Sequence, residues 1–191
     1  MGIGAMAFYC RNLPHWQPEG APVFLTWRLA GSLPCGTVTL DCALPATESA
    51  GRRFVMADRL LDRAKTGPTW LDDERVACCL VGIIARGDAE LHQFDLHAYV
   101  IMPNHVHLLI TPVASITKIM RGIKGVSARA ANRILGRKGK AFWQGESYDH
   151  WVRSEKEFGR IRVYIEMNPV SAGLASKAEE WPWTSAGKIA W

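Results

Sequence analysis

The spacing of apolar residues changes several times along the chain, and each change marks an element. Residues 23–29 (VFLTWRL) alternate and are rich in β-formers, which predicts a strand. Residues 31–44 are interrupted by glycine and proline and are expected to form a loop. Over 49–64, Phe54, Leu60 and Leu61 fall among charged residues in a helical pattern. Residues 72–86 (DDERVACCLVGIIAR) predict a second helix, acidic at its start and basic at its end, as the helix dipole favours. Residues 94–102 (FDLHAYVIM) and 105–111 (HVHLLIT) read as two strands joined at Pro103-Asn104, an antiparallel hairpin. Residues 115–135 are amphipathic, with Ile116, Ile119, Met120, Ile123, Val126, Ala130 and Ile134 on one stripe, and Gly122 and Gly125 weakening the middle. Another strand is expected near 148–152. Ser154 and Glu157 then form a capping box that opens a helix. Pro169 is expected to end it, because the residue before a proline leaves the helical region.

This order predicts an α+β fold: a ferredoxin-like split β-α-β, with an antiparallel sheet and helices packed on one face. The 191 residues fit a single domain, with residues 1–21 as an irregular arm. Residues 170–191 form a tail that Trp181, Pro182 and Trp183 pack back onto the domain.

Hydrophobic residues make up 48% of the chain, enough to build a core. No apolar run reaches the length of a membrane span. The start, residues 1–9, is apolar but short and lacks a basic beginning, so it does not read as a secretory signal. Cys10, Cys35, Cys42, Cys78 and Cys79 include no CxxC pair and are expected to be reduced, mostly buried thiols in a cytoplasmic protein. The net charge is +5 and unevenly placed. Residues 113–145 contain no acid, but they carry Lys118, Arg121, Lys124, Arg129, Arg133, Arg137, Lys138 and Lys140. A one-signed run can be a solvated helix face. Beside a candidate metal site, it points instead to contact with a nucleic-acid backbone.

That candidate site begins with His105-Val106-His107. Residues i and i+2 of a strand share a face, so the two imidazoles stand side by side and can share a cation. Val106, Leu108 and Ile110 fall on the opposite face, towards the core, leaving the histidines on an open face. On the last helix, Tyr164 and Asn168 lie one turn apart beside the apolar stripe of Phe158, Ile161 and Ile165. Asn168 offers a carbonyl oxygen suited to Mg²⁺ or Mn²⁺, and Tyr164 offers a phenol. Singly, each residue also has an ordinary structural role: packing for the histidines and the tyrosine, helix capping for the asparagine.

Together, YVIMPNHVHLLIT (99–111) and VYIEMNPVSAGL (163–174) resemble the two motifs of the HUH single-tyrosine transposases, most closely the REP-associated tyrosine transposases. RNLPHWQPEGAPVFLTWRLAGSLP and FWQGESYDHWVRSEKE also resemble that family. The resemblance covers most of the chain and is weakest over 40–90 and the last ten residues. It implies a divalent metal on His105 and His107, a nucleophile at Tyr164, and completion of the metal site by Asn168, where related transposases carry glutamine. It also implies a ferredoxin-like sheet, and hairpin-forming single-stranded DNA that is cut and rejoined through a 5′-phosphotyrosine. A monomer is favoured; related dimeric transposases supply the tyrosine in trans. No general base for Tyr164 is evident in the sequence.

The basic run would then hold the DNA backbone. Trp143, Tyr148 and Trp151 could stack on bases, although core packing is the favoured reading. Three alternatives compete with this assignment: a metal-dependent phosphoester hydrolase, a domesticated DNA-binding module without catalysis, and a purely structural domain. The hydrolase needs acidic ligands, for which Asp95 is the nearest candidate on the neighbouring strand.

Overall fold

The computed structural model describes residues 20–33, 50–62 and 67–187. Most of the expected N-terminal arm and of the loop over 31–44 lies outside these residues, as do Cys10, Cys35 and Cys42. Four strands, β1 (Val23–Arg28), β2 (Phe94–Ile101), β3 (His105–Pro112) and β4 (Tyr148–Trp151), form one antiparallel sheet in the order β2-β3-β1-β4. Helices α1 (Ala50–Asp62) and α2 (Glu74–Ala89) connect β1 to β2, and α3 (Ile116–Ile134) connects β3 to β4. Helix α4 (Glu155–Ser171) follows the last strand. This is the ferredoxin-like α+β order predicted from the sequence.

The helices, however, cover both faces of the sheet, not one. Val23, Leu25 and Trp27 of β1 and Val106, Leu108 and Ile110 of β3 pack with Leu80 and Ile84 of α2 and Ile119 and Ile123 of α3. The alternate positions, Phe24, Val100 and Leu109, pack with Ile165 of α4 and Phe54 of α1. The physical reason is visible in β1, where Val23 to Trp27 are all buried. A strand apolar on both sides needs two covers. In β2, a register shift between Leu96 and Ala98 changes the alternation. Phe94 and Leu96 therefore join the same layer as Tyr99 and Ile101.

Local chemistry sets the element ends. The Asp73 side chain caps α2 by accepting from Arg75 N, and Ser115 caps α3 by accepting from Lys118 N. Ser154 caps α4, but Glu157 does not close the box on Ser154: its Oε2 accepts from Arg153 N at 2.7 Å and its Oε1 contacts His150 at 2.9 Å. Pro169 does not end α4, which runs on to Ser171. Proline there forfeits one backbone bond near the helix end, and the last turn is closed by Ala172 N donating to Asn168 O and Leu174 N to Pro169 O. On α3 the buried stripe passes through Ser127 and Ala131, while Val126 is exposed. Cys78 is exposed and Cys79 half-buried, so these two thiols are less covered than expected.

The tail closes the edge of β2. Ile101 N donates to Trp183 O at 2.8 Å, Ser185 N to Tyr99 O at 2.9 Å, and Trp181 Nε1 to Ile101 O at 2.9 Å. Over Tyr99–Ile101 the edge of β2 therefore no longer presents open backbone groups. No helix among the described residues is long and apolar enough to cross a membrane.

Candidate metal centre and nucleophile

Register places the site. Thr26 of β1 lies opposite His107, and Arg28 opposite His105. The two imidazoles point to the face covered by α1 and α4, with their Nε2 atoms 3.1 Å apart. The sequence suggested an open face, yet His105 is 1% exposed and His107 is fully buried. The cover is α1, which brings Phe54 against His107 (ring centroids 6.2 Å apart) and Asp58 onto both histidines. Asp58 Oδ1 lies 3.3 Å from His107 Nε2 and 3.6 Å from His105 Nε2.

The outer partners orient both rings. Asn104 Nδ2 donates to Leu61 O at 2.9 Å, so its Oδ1 is the acceptor that faces His105 Nδ1 at 2.6 Å. This bond puts the proton of a neutral His105 on Nδ1 and leaves Nε2 bare. His107 Nδ1 is paired with Thr26 Oγ1 at 2.7 Å. In the tautomer that donates Nδ1–H to Thr26, His107 Nε2 is the atom left to face a metal.

From α4, Tyr164 donates its hydroxyl to Asp58 Oδ2. Asn168 Nδ2 lies 3.4 Å from His107 Nε2 and 3.5 Å from Asp58 Oδ2. Tyr164 and Asn168, paired on one face by sequence, thus meet the two histidines. Asp58 is the residue that sequence reasoning missed. Its signal was a carboxylate four residues after Phe54 and three before Leu61, inside the apolar stripe of a short helix. Asp95, the acid considered instead, is exposed and paired with Thr111 at the far end of the hairpin.

These residues fit a divalent cation. Asp58, His105 and His107 each offer a ligand atom, all lying within 4.8 Å of one another. Asp58 Oδ1 and Asn168 Oδ1 are buried with no hydrogen-bond partner among the described residues. Without a metal, a proton on one Nε2 relieves the repulsion among these nitrogens and the carboxylate; a divalent cation would take that proton's place. A two-imidazole, one-carboxylate set suits several divalent ions. An amide flip would turn Asn168 Oδ1 towards the same point.

Electrostatics agree with that assignment. Burial, reinforced by His107, lowers the His105 imidazole to about 3 against the pull of Asp58, so the ring is neutral and ligand-competent. Burial pushes the Asp58 carboxyl up, but His107, His105 and the Tyr164 hydroxyl together hold it well below the usual carboxylate range. Burial and the adjacent Asp58 carboxylate push the Tyr164 phenol well above its ordinary range.

The basic run is divided. It lies mainly on α3, across the sheet from the histidines. Lys124 Nζ donates to Gln144 O at 2.7 Å and Gly145 O at 3.0 Å, an internal clasp. The Arg137 guanidinium sits 3.6 Å over the Trp70 ring. Lys118, Arg121, Arg129, Arg133, Lys138 and Lys140 are exposed. The aromatic candidates pack internally, as favoured. Trp143 donates to Ser127 Oγ at 2.9 Å, Tyr148 stacks on Phe54 at 4.4 Å, and Trp151 joins the core.

A split β-α-β sheet with a histidine pair on an inner strand and a tyrosine on the last helix defines a class, and sequence comparison agrees. The pattern of the family described as "Transposase IS200 like" matches residues 71–168, just over half of the chain, and the chain belongs to that family. The REP-associated tyrosine transposase of Escherichia coli K12 is 27% identical over 95 residues, 48% of this chain and 54% of that protein. A putative REP-associated tyrosine transposase of Haemophilus influenzae is 24% identical over 107 residues, 50% of this chain and 61% of that protein. The chain therefore spans little more than half the length of the curated relatives it matches. A solved REP-associated tyrosine transposase bound to a REP hairpin has the same fold, with a TM-score of 0.56 at 17% identity over 92% of this chain and 82% of that one. Both β1 and α1, which carry Thr26 and Asp58, lie outside the family match.

Proposed function

We propose that the chain nicks and rejoins hairpin-forming single-stranded DNA through a 5′-phosphotyrosine at Tyr164, using a divalent metal such as Mg²⁺ or Mn²⁺. The observation that carries this reading is the convergence of the Tyr164 hydroxyl, Asp58 and the two histidine Nε2 atoms in one buried cluster. His105, His107 and Asp58 would hold the metal, with Asn168 completing the set. Bound there, the ion would polarise a non-bridging oxygen of the scissile phosphate and offset developing charge.

The chain's own residues account for the proton. Tyr164 Oη attacks phosphorus, the Oη–P bond forms, and the bond from phosphorus to the 3′ oxygen breaks. The elevated phenol keeps its proton until attack; the forming Oη–P bond then acidifies it, and Asp58 Oδ2, already accepting that hydroxyl, is placed to relay it even though its own carboxyl is held low. The proton taken from Tyr164 passes by way of Asp58 to the departing 3′ oxygen, which leaves as a hydroxyl, and attack by a 3′-hydroxyl reverses the step without external energy. His105, His107 and Asn168 are buried, so a DNA phosphate reaches them only when the groups covering the site part.

Exposed Arg133, Lys138 and Lys140, at the C-terminal end of α3 and just beyond it, would hold the backbone. They lie at the His105 end of the sheet, where Ala30 N donates to Phe142 O. Lys118, Arg121 and Arg129 would extend that contact along α3. A monomer is the working state proposed here, as the resemblance to the REP-associated tyrosine transposases implies.

Asp58 also favours a second reading, a metal-dependent phosphoester hydrolase, because it supplies the acidic ligand such an enzyme needs. Tyr164→Phe separates the two. It abolishes cleavage through phosphotyrosine and leaves a water-using hydrolase active.

A further inference from the structure

Arg28 lies outside the histidine–tyrosine cluster, and its placement is unusual. It ends β1 on the same face as Phe24 and Thr26, directly across from His105. Thr26 Oγ1 reaches His107 from the adjacent position on that row, so side chains of this row meet the candidate metal centre. Directly opposed residues on one face of an antiparallel pair have Cβ atoms about 5 Å apart. Arg28 is half-buried, and among the described residues it has no ion-pair partner. Its one hydrogen bond runs from Nη1 to Ser32 Oγ at 3.4 Å. Glu146 acts on it only at longer range, and burial is the larger influence. Asp58 is engaged by the histidines and Tyr164 and does not act on Arg28.

A guanidinium loses favourable hydration when half-buried, and an anion normally compensates. Its planar fork matches the two non-bridging oxygens of a phosphodiester. At the His105 end of the site row, the anion that would compensate Arg28 is a backbone phosphate of the strand entering the site.

We infer that Arg28 binds a phosphodiester of the single-stranded segment beside the hairpin and so fixes the strand's position relative to Tyr164. This rests on the DNA-cleaving reading above. It adds a strand-positioning contact from β1, a strand outside the family match.

The test uses the full chain carrying Tyr164→Phe, with Mn²⁺ present, and a labelled DNA hairpin with single-stranded thymidine tails. Binding is measured across a salt series for this parent, for Arg28→Gln and for Arg28→Lys. A second probe carries neutral methylphosphonate linkages in its tails. Arg28→Gln is expected to weaken binding to the phosphodiester probe about tenfold or more. It should also lower the salt slope by about 0.7, the value of one single-strand phosphate contact. Arg28→Lys keeps the slope but loses part of the affinity, because the point charge remains and the fork does not. On the methylphosphonate probe, Arg28→Gln should leave the slope unchanged.

An unchanged slope for a folded Arg28→Gln on the first probe overturns the inference. An equal drop on both probes also overturns it, because the contact would then lie on the stem. A parent that binds neither probe refutes the DNA-cleaving reading itself, and this inference with it.

Discussion

Replacing Asn104 with alanine should weaken metal binding and the fold together, for separable reasons. Asn104 is 4% exposed and makes two buried bonds, accepting from His105 Nδ1 and donating to Leu61 O of α1. Alanine leaves the imidazole N–H and the carbonyl without partners, at about 1–3 kcal/mol each. Allowing for some water entry, the loss of stability is about 2–4 kcal/mol. For a chain of this size, that corresponds to a fall in Tm of roughly 5–15 °C. The metal effect has a different origin. Without the Oδ1 acceptor, His105 is free to move its proton to Nε2 and to turn its ring. Loss of such an outer partner costs about 10–100-fold in metal affinity. Asn104→Asp keeps the acceptor and loses the donor, so it should destabilise the fold while binding Mn²⁺ within about threefold of wild type, as a carboxylate partner also supports the ring. Mn²⁺ titration followed by electron paramagnetic resonance, below the melting range of each variant, reads the two effects apart. Wild-type affinity in Asn104→Ala, or equal loss in both variants, would refute the reasoning.

Other consequences can be checked as directly. His105 titrates near 3 in the fold and near its ordinary 6.5 when unfolded, so the unfolded chain binds the extra proton between those values. Its contribution is therefore fully present above pH 6.5 and is lost as pH falls towards 3, by up to roughly 1.4 kcal/mol per unit. Asp58, held low, adds its own loss only below about pH 4. Urea melts of the metal-free protein should show the first slope, and His105→Ala should flatten it. A Cβ on Gly87 would sit 2.6 Å from Phe94 Cζ, so Gly87→Ala should destabilise by about 1–3 kcal/mol. On the same helix, the space beside Gly82 is open, and Gly82→Ala should stabilise by about 0.5–1 kcal/mol in thermal melts. Lys138→Gln and Lys140→Gln should each lower the salt slope of single-strand binding by about 0.7. Lys124→Gln should leave that slope intact and lower Tm, since Lys124 clasps two carbonyls.

The parts of this molecule legible in the sequence are those set by local period. The alternation of VFLTWRL, the i, i+2 spacing of His105 and His107 and the i, i+4 spacing of Tyr164 and Asn168 each fix a face, and each face is where the spacing puts it. What closes over a face is a long-range fact. Asp58 meets His107 from a separate helix across 49 positions of chain, and nothing in either segment names the other. Its buried carboxylate breaks the apolar stripe of α1, which is a signal only once a metal partner is suspected. The second helical layer was hidden for the same reason. HVHLLIT reads as one apolar and one open face until Phe54 and Ile165 are known to pack against Phe24 and Leu109. Lys124 shows the limit of reading charge runs. Its spacing matches its neighbours on α3, but the chain returns beside it at Gln144 and Gly145 and takes up its ammonium.

Whether Tyr164 is a metal-assisted nucleophile towards DNA is read most directly by incubating labelled single-stranded hairpin DNA with the protein and Mg²⁺ or Mn²⁺, followed by a denaturing protein gel. Wild type is run beside Tyr164→Phe, His107→Ala and Asp58→Ala. A DNA-labelled protein band is expected in wild type, absent from Tyr164→Phe and strongly reduced in the other two variants. Cleaved DNA that persists in Tyr164→Phe with no covalent band would contradict nucleophilic attack by Tyr164 and favour a metal-dependent hydrolase.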